Sequence, residues 1–200
     1  MKGKLTLTCL SIALLYQFQV NAQFKRVSPE PNIQQELSTV IKDYQHQFKN
    51  VTGNIVDENP QTTEFISTVW LPGAEECKVT RYSSGKNNVY SWQALMFVTE
   101  DFEEASKKFK ALYKQLNSLH VKFGNYKDYR FNGSFIVPTE ELEFTSIIFQ
   151  NDANEAKKLK LKLNINFEFP EWKVKIVLYE KEREDDEMGK QVDTDDYIEY

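Results

Sequence analysis

The most regular pattern of apolar and polar positions lies in residues 159–179. Apolar and polar side chains alternate strictly over 159–169, and an alternation resumes over 172–179 after Pro170 and Glu171. A period of two residues is typical of a strand with one buried face. Two such runs separated by a short polar break predict a β-hairpin.

The register of this hairpin follows from the alternation. A two-residue loop at 170–171 would pair Phe169 with Trp172, place every apolar side chain on one face and set Glu168 opposite Lys173. Because Pro170 does not suit the turns that two-residue loops prefer, a four-residue loop with the same pairs is equally compatible.

Two helices and several further strands are predicted in the remainder of the chain. Apolar residues at helical spacing predict an amphipathic helix over 33–51, with Asn32 as cap and Gly53 as stop, and a second over 102–119, capped by Asp101. Strands are predicted at 64–71, 77–82, 89–99 and 143–150, with a short one at 135–138, and loops at 54–63 and 124–134.

An internal similarity indicates the fold. The helical face repeats at a shift of 72 residues, the strand 65–71 resembles 144–150 at a shift of 79, and Trp92 matches Trp172 at a shift of 80. We therefore expect an α+β fold in which residues 33–100 and 101–181 are tandem copies of a helix plus three antiparallel strands, with the helices packed on one face of the sheet. Chance alignment of two helix-then-hairpin segments is the alternative.

Both ends of the chain differ in composition from its middle. Residues 1–22 combine early lysines, an apolar run and a Val-Asn-Ala end, which predicts an export signal cleaved after Ala22. We expect a periplasmic or secreted protein without a membrane span, an extended leader over 23–32 and a flexible acidic tail over 182–200. The net charge of −7 in residues 180–200 equals that of the mature chain, so residues 23–179 are neutral.

Few residues offer catalytic chemistry. The predicted mature chain contains one cysteine, Cys77, and two histidines, His46 and His120. The sequence has no Gly-rich phosphate loop, no Gly-x-Ser-x-Gly motif and no zinc spacing, so we predict no catalytic residue, no metal and no cofactor. A neutral body with an acidic tail also argues against a nucleic-acid partner.

A loop over 125–133 is the first candidate binding site. Aromatic and directional polar side chains alternate in it, and this mixture suits ligand or partner recognition. The candidate residues are Tyr126, Asp128, Tyr129, Arg130 and Phe131. The alternative is that the aromatic rings fold onto the core.

A lysine face is the second candidate. The alternation places Lys160, Lys162, Lys173 and Lys175 on the polar side of the hairpin. These lysines could attract anions, and we expect the acidic tail to fold back over them. Lysines on an exposed strand also discourage aggregation, which is the alternative explanation.

These features favour a non-catalytic, exported binding or interaction protein that uses the sheet face or the 125–133 loop. Its ligand would be an unidentified protein or small molecule, and the sequence does not indicate an oligomeric state. A carboxylate-based hydrolase is the first alternative, and it requires acidic residues to converge with Tyr126, Tyr129 or Arg130 in one pocket. A structural component of an envelope assembly is the second, and it requires an extended apolar patch.

Overall fold

A computed structural model describes residues 31–83, 88–123, 127–151 and 158–180. These residues form an α+β fold with two helices and a large antiparallel sheet. The helices are α1 (Gln34–Asp43) and α2 (Phe102–Leu116). The strands are β1 (Thr52–Glu58), β2 (Thr62–Ser67), β3 (Glu76–Ser83), β4 (Asn88–Thr99), β5 (His120–Phe123), β6 (Lys127–Arg130), β7 (Phe144–Phe149), β8 (Leu159–Glu168) and β9 (Glu171–Glu180).

Seven strands form the main sheet, in the order β1-β2-β3-β4-β9-β8-β7. Every neighbouring pair in it is antiparallel. The strands β5 and β6 form a separate two-stranded sheet. As a result, β4 and β9 lie at the centre of the main sheet, whereas β1 and β7 are its edges.

The predicted hairpin is formed by β8 and β9, but its register differs by two residues. Phe167, not Phe169, pairs with Trp172, and Glu168 pairs with Glu171 across a loop of Phe169 and Pro170 joined by a cis peptide bond. Pro170 thus lies in the loop, where its missing N–H leaves no gap in the ladder. A two-residue shift keeps every strand residue on its predicted face. Phe169 is the exception, because it is 89% exposed in the loop.

The first helix is shorter than predicted. It ends at Asp43, and two short 3₁₀ helices, Tyr44–His46 and Lys49–Val51, replace its expected last turns. Between them the chain reverses through Gln47 and Phe48, which both have left-handed backbone conformations. This reversal buries Phe48 in the core. The packing of the Phe48 ring in the core thus overrides the helical spacing of apolar residues that predicted a longer helix.

Three other predicted segments are wrong in detail. Residues 54–63, expected as a loop, contain most of β1 and the start of β2. The polar pattern hid β1, because this edge strand is mostly exposed and shows no buried alternation. The expected 124–134 loop contains β6, and residues 135–138 form no strand because Phe135 packs against Tyr113 of α2, with ring centroids 4.8 Å apart.

Helix α2 begins where the sequence predicts. The side chain of Asp101 accepts hydrogen bonds from the backbone N–H groups of Glu103 and Glu104, and such an N-cap typically contributes about 1 kcal/mol. Its buried side chains are Ala105, Phe109, Leu112 and Leu116. They belong to one core cluster with the buried residues of α1 and with one face of the main sheet. We call the opposite face of the main sheet the outer face.

The internal similarity agrees with the structure only in part. Trp92 and Trp172 both lie in the core cluster. The strand match at a shift of 79 fails, because it aligns Phe65, which packs on the core, with Phe144, which is 55% exposed. Because side chains alternate between faces along a strand, a match that aligns a core-facing residue with an exposed one is out of step by one residue. The first half of the chain also contributes four strands to the main sheet instead of three.

Some predictions fall on other parts of the chain. The export signal over 1–22, most of the leader, Tyr126 and the acidic tail lie outside the described residues.

Candidate functional site

The predicted binding loop becomes the hairpin of β5 and β6. In this hairpin Tyr129 pairs with Val121, and Tyr129 is 8% exposed. Phe131, just after β6, is fully buried. Both aromatic side chains therefore belong to the core cluster, which agrees with the alternative that they fold onto the core.

Asp128 and Arg130 lie on the exposed side of the same hairpin. The Asp128 carboxylate is 3.8 Å from Nδ1 of His120, and Nη2 of Arg130 donates to the backbone oxygen of Asn117 over 3.4 Å. The alternation of the strand thus separates the candidate residues into a buried aromatic pair and an exposed polar pair. The described members of the set do not converge in one pocket.

Two of the predicted lysines share one carboxylate on the outer face. Nζ of Lys173 and Nζ of Lys175 each lie 2.6 Å from a different oxygen of Glu168. The hydrogen bonds from Lys173 and then Lys175 lower the pKa of Glu168 to about 2, against the opposing effect of partial burial. Contact with Glu168 also raises the pKa of Lys173. This arrangement neutralises part of the predicted positive charge.

The other two lysines are neighbours of Tyr179 in the sheet. Nζ of Lys162 lies 4.8 Å from the ring centroid, a cation–π distance. Lys160 is paired with Tyr179 in the register of β8 and β9. The four lysines therefore share the outer face but belong to two local clusters.

A cleft of about 590 Å³ lies along the edge strand β7. Its polar lining consists of Asn117, Asn132, Gly133, Ser134 and Gln150, and its apolar lining of Ile136, Ile147 and Ile148. The cleft therefore begins where the predicted 125–133 loop ends. Amide side chains and isoleucines together suit a ligand with both hydrogen-bonding and apolar groups.

The segment that follows β6 forms one wall of this cleft. Asn132 and Gln150 exchange backbone hydrogen bonds of 2.9 and 2.8 Å, which fix the segment to the end of β7. Gly133 then donates to Oδ1 of Asn117, and its carbonyl accepts from the hydroxyl of Tyr113. A Cβ on Gly133 would approach Ile147 and Phe149 to 3.0 Å, so glycine permits this close passage.

Beyond the segment that contains Asn132 and Gly133, the outer edge of β7 is open. Backbone groups alternate in direction along a strand, so Phe144, Ser146 and Ile148 direct their N–H and C=O groups to the same side as Gln150. The neighbour β8 lies on the other side. In the part of the chain that the structure describes, no backbone group bonds to these three residues on the open side. The outward N–H and C=O groups of Phe144 and Ser146 are therefore available to another strand, whereas Gly133 lies beside the carbonyl oxygen of Ile148.

Exposed apolar side chains surround this edge. Within β7, Phe144 is 55% and Ile148 39% exposed. Nearby, Ile136, Val137 and Leu142 are between 48% and 66% exposed. Five of the ten large exposed apolar residues found in the described chain thus lie in residues 136–148. Such a concentration marks an interaction site more often than single exposed residues do.

The opposite edge of the sheet is protected. The pairing of β1 with β2 has two register shifts, and β1 ends with Asp57 and Glu58. Irregularities and charges are two ways in which edge strands avoid pairing with other chains. In contrast, β7 pairs with β8 without any register shift and contains no charged residue. The two edges therefore differ in their capacity to accept another strand.

A smaller cleft of about 290 Å³ lies at the end of α1. There the buried carboxylate of Asp43 accepts hydrogen bonds from the backbone and side-chain N–H groups of Asn50, and Nδ1 of His46 lies 3.3 Å away. A carboxylate that orients a histidine is one part of an acid–base site. The bonds to Asn50 give Asp43 a structural role, since they close the turn between α1 and β1.

The sequence did not indicate the pairing of Asp43 with Asn50, nor the open edge at Phe144 and Ser146. Asp43 and Asn50 are seven residues apart, and the sequence predicted one continuous helix through both of them. In the structure α1 ends at Asp43. Strand β7 was predicted, but edge status depends on which strands pair. The feature of the sequence that agrees with an open edge is the absence of charged residues from β7.

Other types of site find little support among the residues described. Over the ranges that the structure covers, no three His, Cys, Asp or Glu side chains are grouped to hold a metal ion. Burial raises the pKa of Cys77 to about 11, with a smaller contribution from Glu76 and an opposing hydrogen bond at Leu71. Its thiol is therefore poorly suited to nucleophilic attack. Neither described helix is long and apolar enough to cross a bilayer.

Known proteins add no further guide to the site. The chain matches no protein-family model, no curated protein and no solved structure.

Proposed function

We propose that this protein is an exported, non-catalytic interaction protein that binds an extended peptide segment along the open edge of β7. The observation that carries this proposal is the pair of outward backbone groups at Phe144 and Ser146, next to a cleft of about 590 Å³ that Ile148 lines. Strand addition uses such groups, because main-chain hydrogen bonds supply affinity and side-chain contacts supply specificity.

The chemistry of the cleft defines the segment that it would accept. Ile136 and Ile148 offer apolar contacts, whereas Asn117 and Gln150 offer amide groups. Neither β7 nor the cleft lining contributes a charged side chain. An uncharged segment with small or apolar residues is therefore the expected ligand.

The predicted loop and lysines would have supporting roles. Arg130 contacts the backbone of Asn117, and Asn117 holds Gly133 at the wall of the cleft. Arg130 is thus connected to the cleft through Asn117, whereas Asp128 faces His120 on the hairpin. On the outer face, Lys162 is directly paired with Ile148 of β7.

The proposal favours binding over catalysis because neither Glu168 nor Asp128 is placed to act as a catalytic acid in the cleft. A catalytic acid needs a raised pKa, whereas the pKa of Glu168 is lowered by two lysines. Asp128 is exposed on the β5–β6 hairpin and is not part of the cleft lining.

We also propose that the chain arose by duplication of a helix-and-strand unit, with both helices on one face of the sheet. The strands on either side of the β4–β9 pair follow mirrored orders, β2-β3-β4 and β9-β8-β7. Leu95 pairs with Lys175 near the middle of the central ladder, and these positions are 80 residues apart, as are Trp92 and Trp172. This proposal uses the shift of 80 and not the shift of 79.

Selection from a phage-displayed peptide library on the mature chain, residues 23–200, tests the binding function. Uncharged peptides should be enriched, and their addition should shift the backbone amide NMR signals of Ser146 and Ile148. Ile148→Lys should abolish the enrichment, because a charge on an edge strand opposes pairing. Val56→Lys is the matched control, since Val56 is an exposed apolar residue of the other edge strand. Equal enrichment by both variants would overturn the proposal.

A further inference from the structure

We infer that the outer face of the main sheet is a docking surface for an acidic peptide segment that contains tyrosine, and that its occupant is the chain's own segment 181–200. This inference goes beyond the proposed function, because it concerns a face of the sheet and not the β7 edge. It rests on a buried patch of the outer face, on the charges around that patch, and on the place where the tail leaves the sheet.

Five residues of the outer face are buried, and we call them the outer patch. They are Thr80, Val89, Ser91, Val177 and Tyr179, each between 1% and 7% exposed. In the sheet Ser91 pairs with Thr80 on one side and with Tyr179 on the other. The three larger members do not belong to the core cluster. The outer patch is therefore a second buried region, over β3, β4 and β9.

The described helices and strands do not account for the burial of Tyr179. Among the residues described, both helices and the β5–β6 hairpin pack on the opposite, core side of the sheet. On the outer face the neighbours of Tyr179 are Ser91 and Lys160, and Nζ of Lys162 lies 4.8 Å from the ring centroid. A lysine shields one side of the ring, but a serine is too short to shield the other. A further segment over the outer face explains why Tyr179 is only 1% exposed.

The tail starts next to the outer patch. Strand β9 ends at Glu180, so residues 181–200 continue the chain directly after Tyr179. Twenty extended residues reach roughly 60 Å, whereas neighbouring strands lie only about 5 Å apart. The tail is therefore long enough to cross the whole patch.

The other segments outside the described residues start farther from the outer patch or are too short. The connections 84–87, 124–126 and 152–157 have three to six residues and are held at both ends by strands. Residues 1–30 join Pro31, whose carbonyl oxygen accepts a hydrogen bond of 3.2 Å from the side chain of Gln115 in α2. That segment therefore starts on the helix side of the sheet.

The charges of the tail and the outer face are opposite. The outer face of β3, β4, β9 and β8 carries five lysines and two glutamates, a net charge of +3: Lys78, Lys160, Lys162, Lys173, Lys175, Glu76 and Glu168. Residues 181–200 carry nine acidic and three basic side chains, a net charge of −6. Opposite net charges favour contact between the two.

The tail also supplies apolar groups for the outer patch. Glu168 already contacts Lys173 and Lys175, so Lys160 and Lys162 are the cations available closest to Tyr179. Five apolar or aromatic side chains are spaced between the acidic residues of the tail: Met188, Val192, Tyr197, Ile198 and Tyr200. This composition matches a patch of apolar and hydroxyl groups beside lysines.

Photo-crosslinking tests where the tail lies. The photoreactive aromatic residue p-benzoylphenylalanine replaces Tyr197 in the chain 23–200, and mass spectrometry after proteolysis locates its crosslinks. We expect crosslinks within one chain to the peptides of β4 and β9. The matched control has the same residue in place of Phe24 in the leader, and it should give few such crosslinks. Crosslinking to β4 and β9 from position 197 that does not exceed that from position 24, or that joins only separate chains, would overturn the inference.

Acetylation of lysines tests the role of charge. In a variant of the chain 23–200 whose nine acidic tail residues are replaced by Asn or Gln, Lys160 and Lys162 should be acetylated about two- to fivefold faster than in the native chain. High salt should raise their rates in the native chain as well. Lys107 and Lys110 are exposed on α2 and serve as controls whose rates should stay the same. Unchanged rates at Lys160 and Lys162 would overturn the docking of the tail on this face.

Discussion

The indole Nε1 of Trp92 donates a hydrogen bond to Oγ of Ser67 over 2.9 Å, and both side chains are buried. Trp92 lies on the central strand β4, whereas Ser67 is the last residue of β2, two strands away. Ser67 also donates to the backbone oxygen of Val69 over 2.8 Å. The Ser67 hydroxyl thus accepts the indole N–H of Trp92, the largest fully buried side chain among the described residues, and fixes the chain where it leaves β2.

Ser67→Ala should lower the free energy of unfolding by about 1–3 kcal/mol, because it leaves the indole N–H buried without an acceptor. Chemical denaturation measures this change. In a Trp92→Phe background, which has no N–H, the same substitution should cost clearly less. Equal costs in both backgrounds would show that the Trp92 bond does not contribute.

The sequence predicted each strand of this contact but not the contact itself. Alternation places Trp92 on the buried face of its strand, and the predicted strand 64–71 contains Ser67. The bond depends on β3 lying between β2 and β4, which is a non-local property. Trp172 is the counterpart of Trp92 in the internal similarity, but its contacts are different. Its ring packs against the rings of Phe102 and Phe167, with centroid distances of 4.8 and 5.1 Å.

The candidate site also depends on contacts between residues that are distant in the sequence. Local patterns predicted β7, α2 and the β8–β9 hairpin, since each has a clear period and clear end signals. They could not show that β7 is an edge strand or that Asn132 is bonded to Gln150. Local patterns also failed for β1, whose exposed residues lack alternation, and for the end of α1, where burial of Phe48 changes the path of the chain.

Thr145→Val should stabilise the protein by up to about 1 kcal/mol. The Thr145 hydroxyl is buried on the core side of β7 without a hydrogen-bond partner, so its desolvation is uncompensated. Thermal or chemical denaturation measures the effect.

Thr63→Val is the matched control for this substitution. The buried hydroxyl of Thr63 accepts a hydrogen bond of 2.7 Å from Arg81, so the same change should be destabilising there. A loss of stability in Thr145→Val similar to that in Thr63→Val would contradict the account.

Cys77 should react very slowly with thiol reagents while the protein is folded. Burial raises its pKa to about 11, so almost no thiolate is present near the usual thiol pKa of about 8.5. Labelling with Ellman's reagent should be fast only in concentrated guanidinium. An introduced cysteine at the exposed position of Val56 provides the control, and rapid labelling of native Cys77 would refute the prediction.

The pKa of Cys77 also implies a loss of stability in alkali. The folded state holds the thiol proton up to a pH of about 11, whereas the unfolded chain releases it above about 9. The stabilising contribution is therefore complete below pH 9 and declines as the pH rises toward 11. Cys77→Ala should remove this part of the alkaline decline, as measured by denaturation at several pH values.

The ion pairs of Glu168 should contribute to stability in the opposite pH range. Its folded pKa of about 2 lies below the ordinary value of 4.5, so the unfolded chain takes up a proton first as the pH falls. The contribution is complete above about pH 4.5 and is lost as the pH approaches 2. Because the Glu168 side chain is 42% exposed, the contribution should not exceed about 1 kcal/mol.

Glu168→Gln should therefore be less stable than the native protein at neutral pH, and the difference should shrink through this acidic range. Urea denaturation from neutral pH downward measures it. In a Lys173→Met and Lys175→Met background, the same substitution should produce little change at any pH, because both cations that lower the pKa are absent. Added salt should reduce the neutral-pH difference as well. A difference that stays constant across the acidic range would mean that these lysines do not hold Glu168 in its charged form.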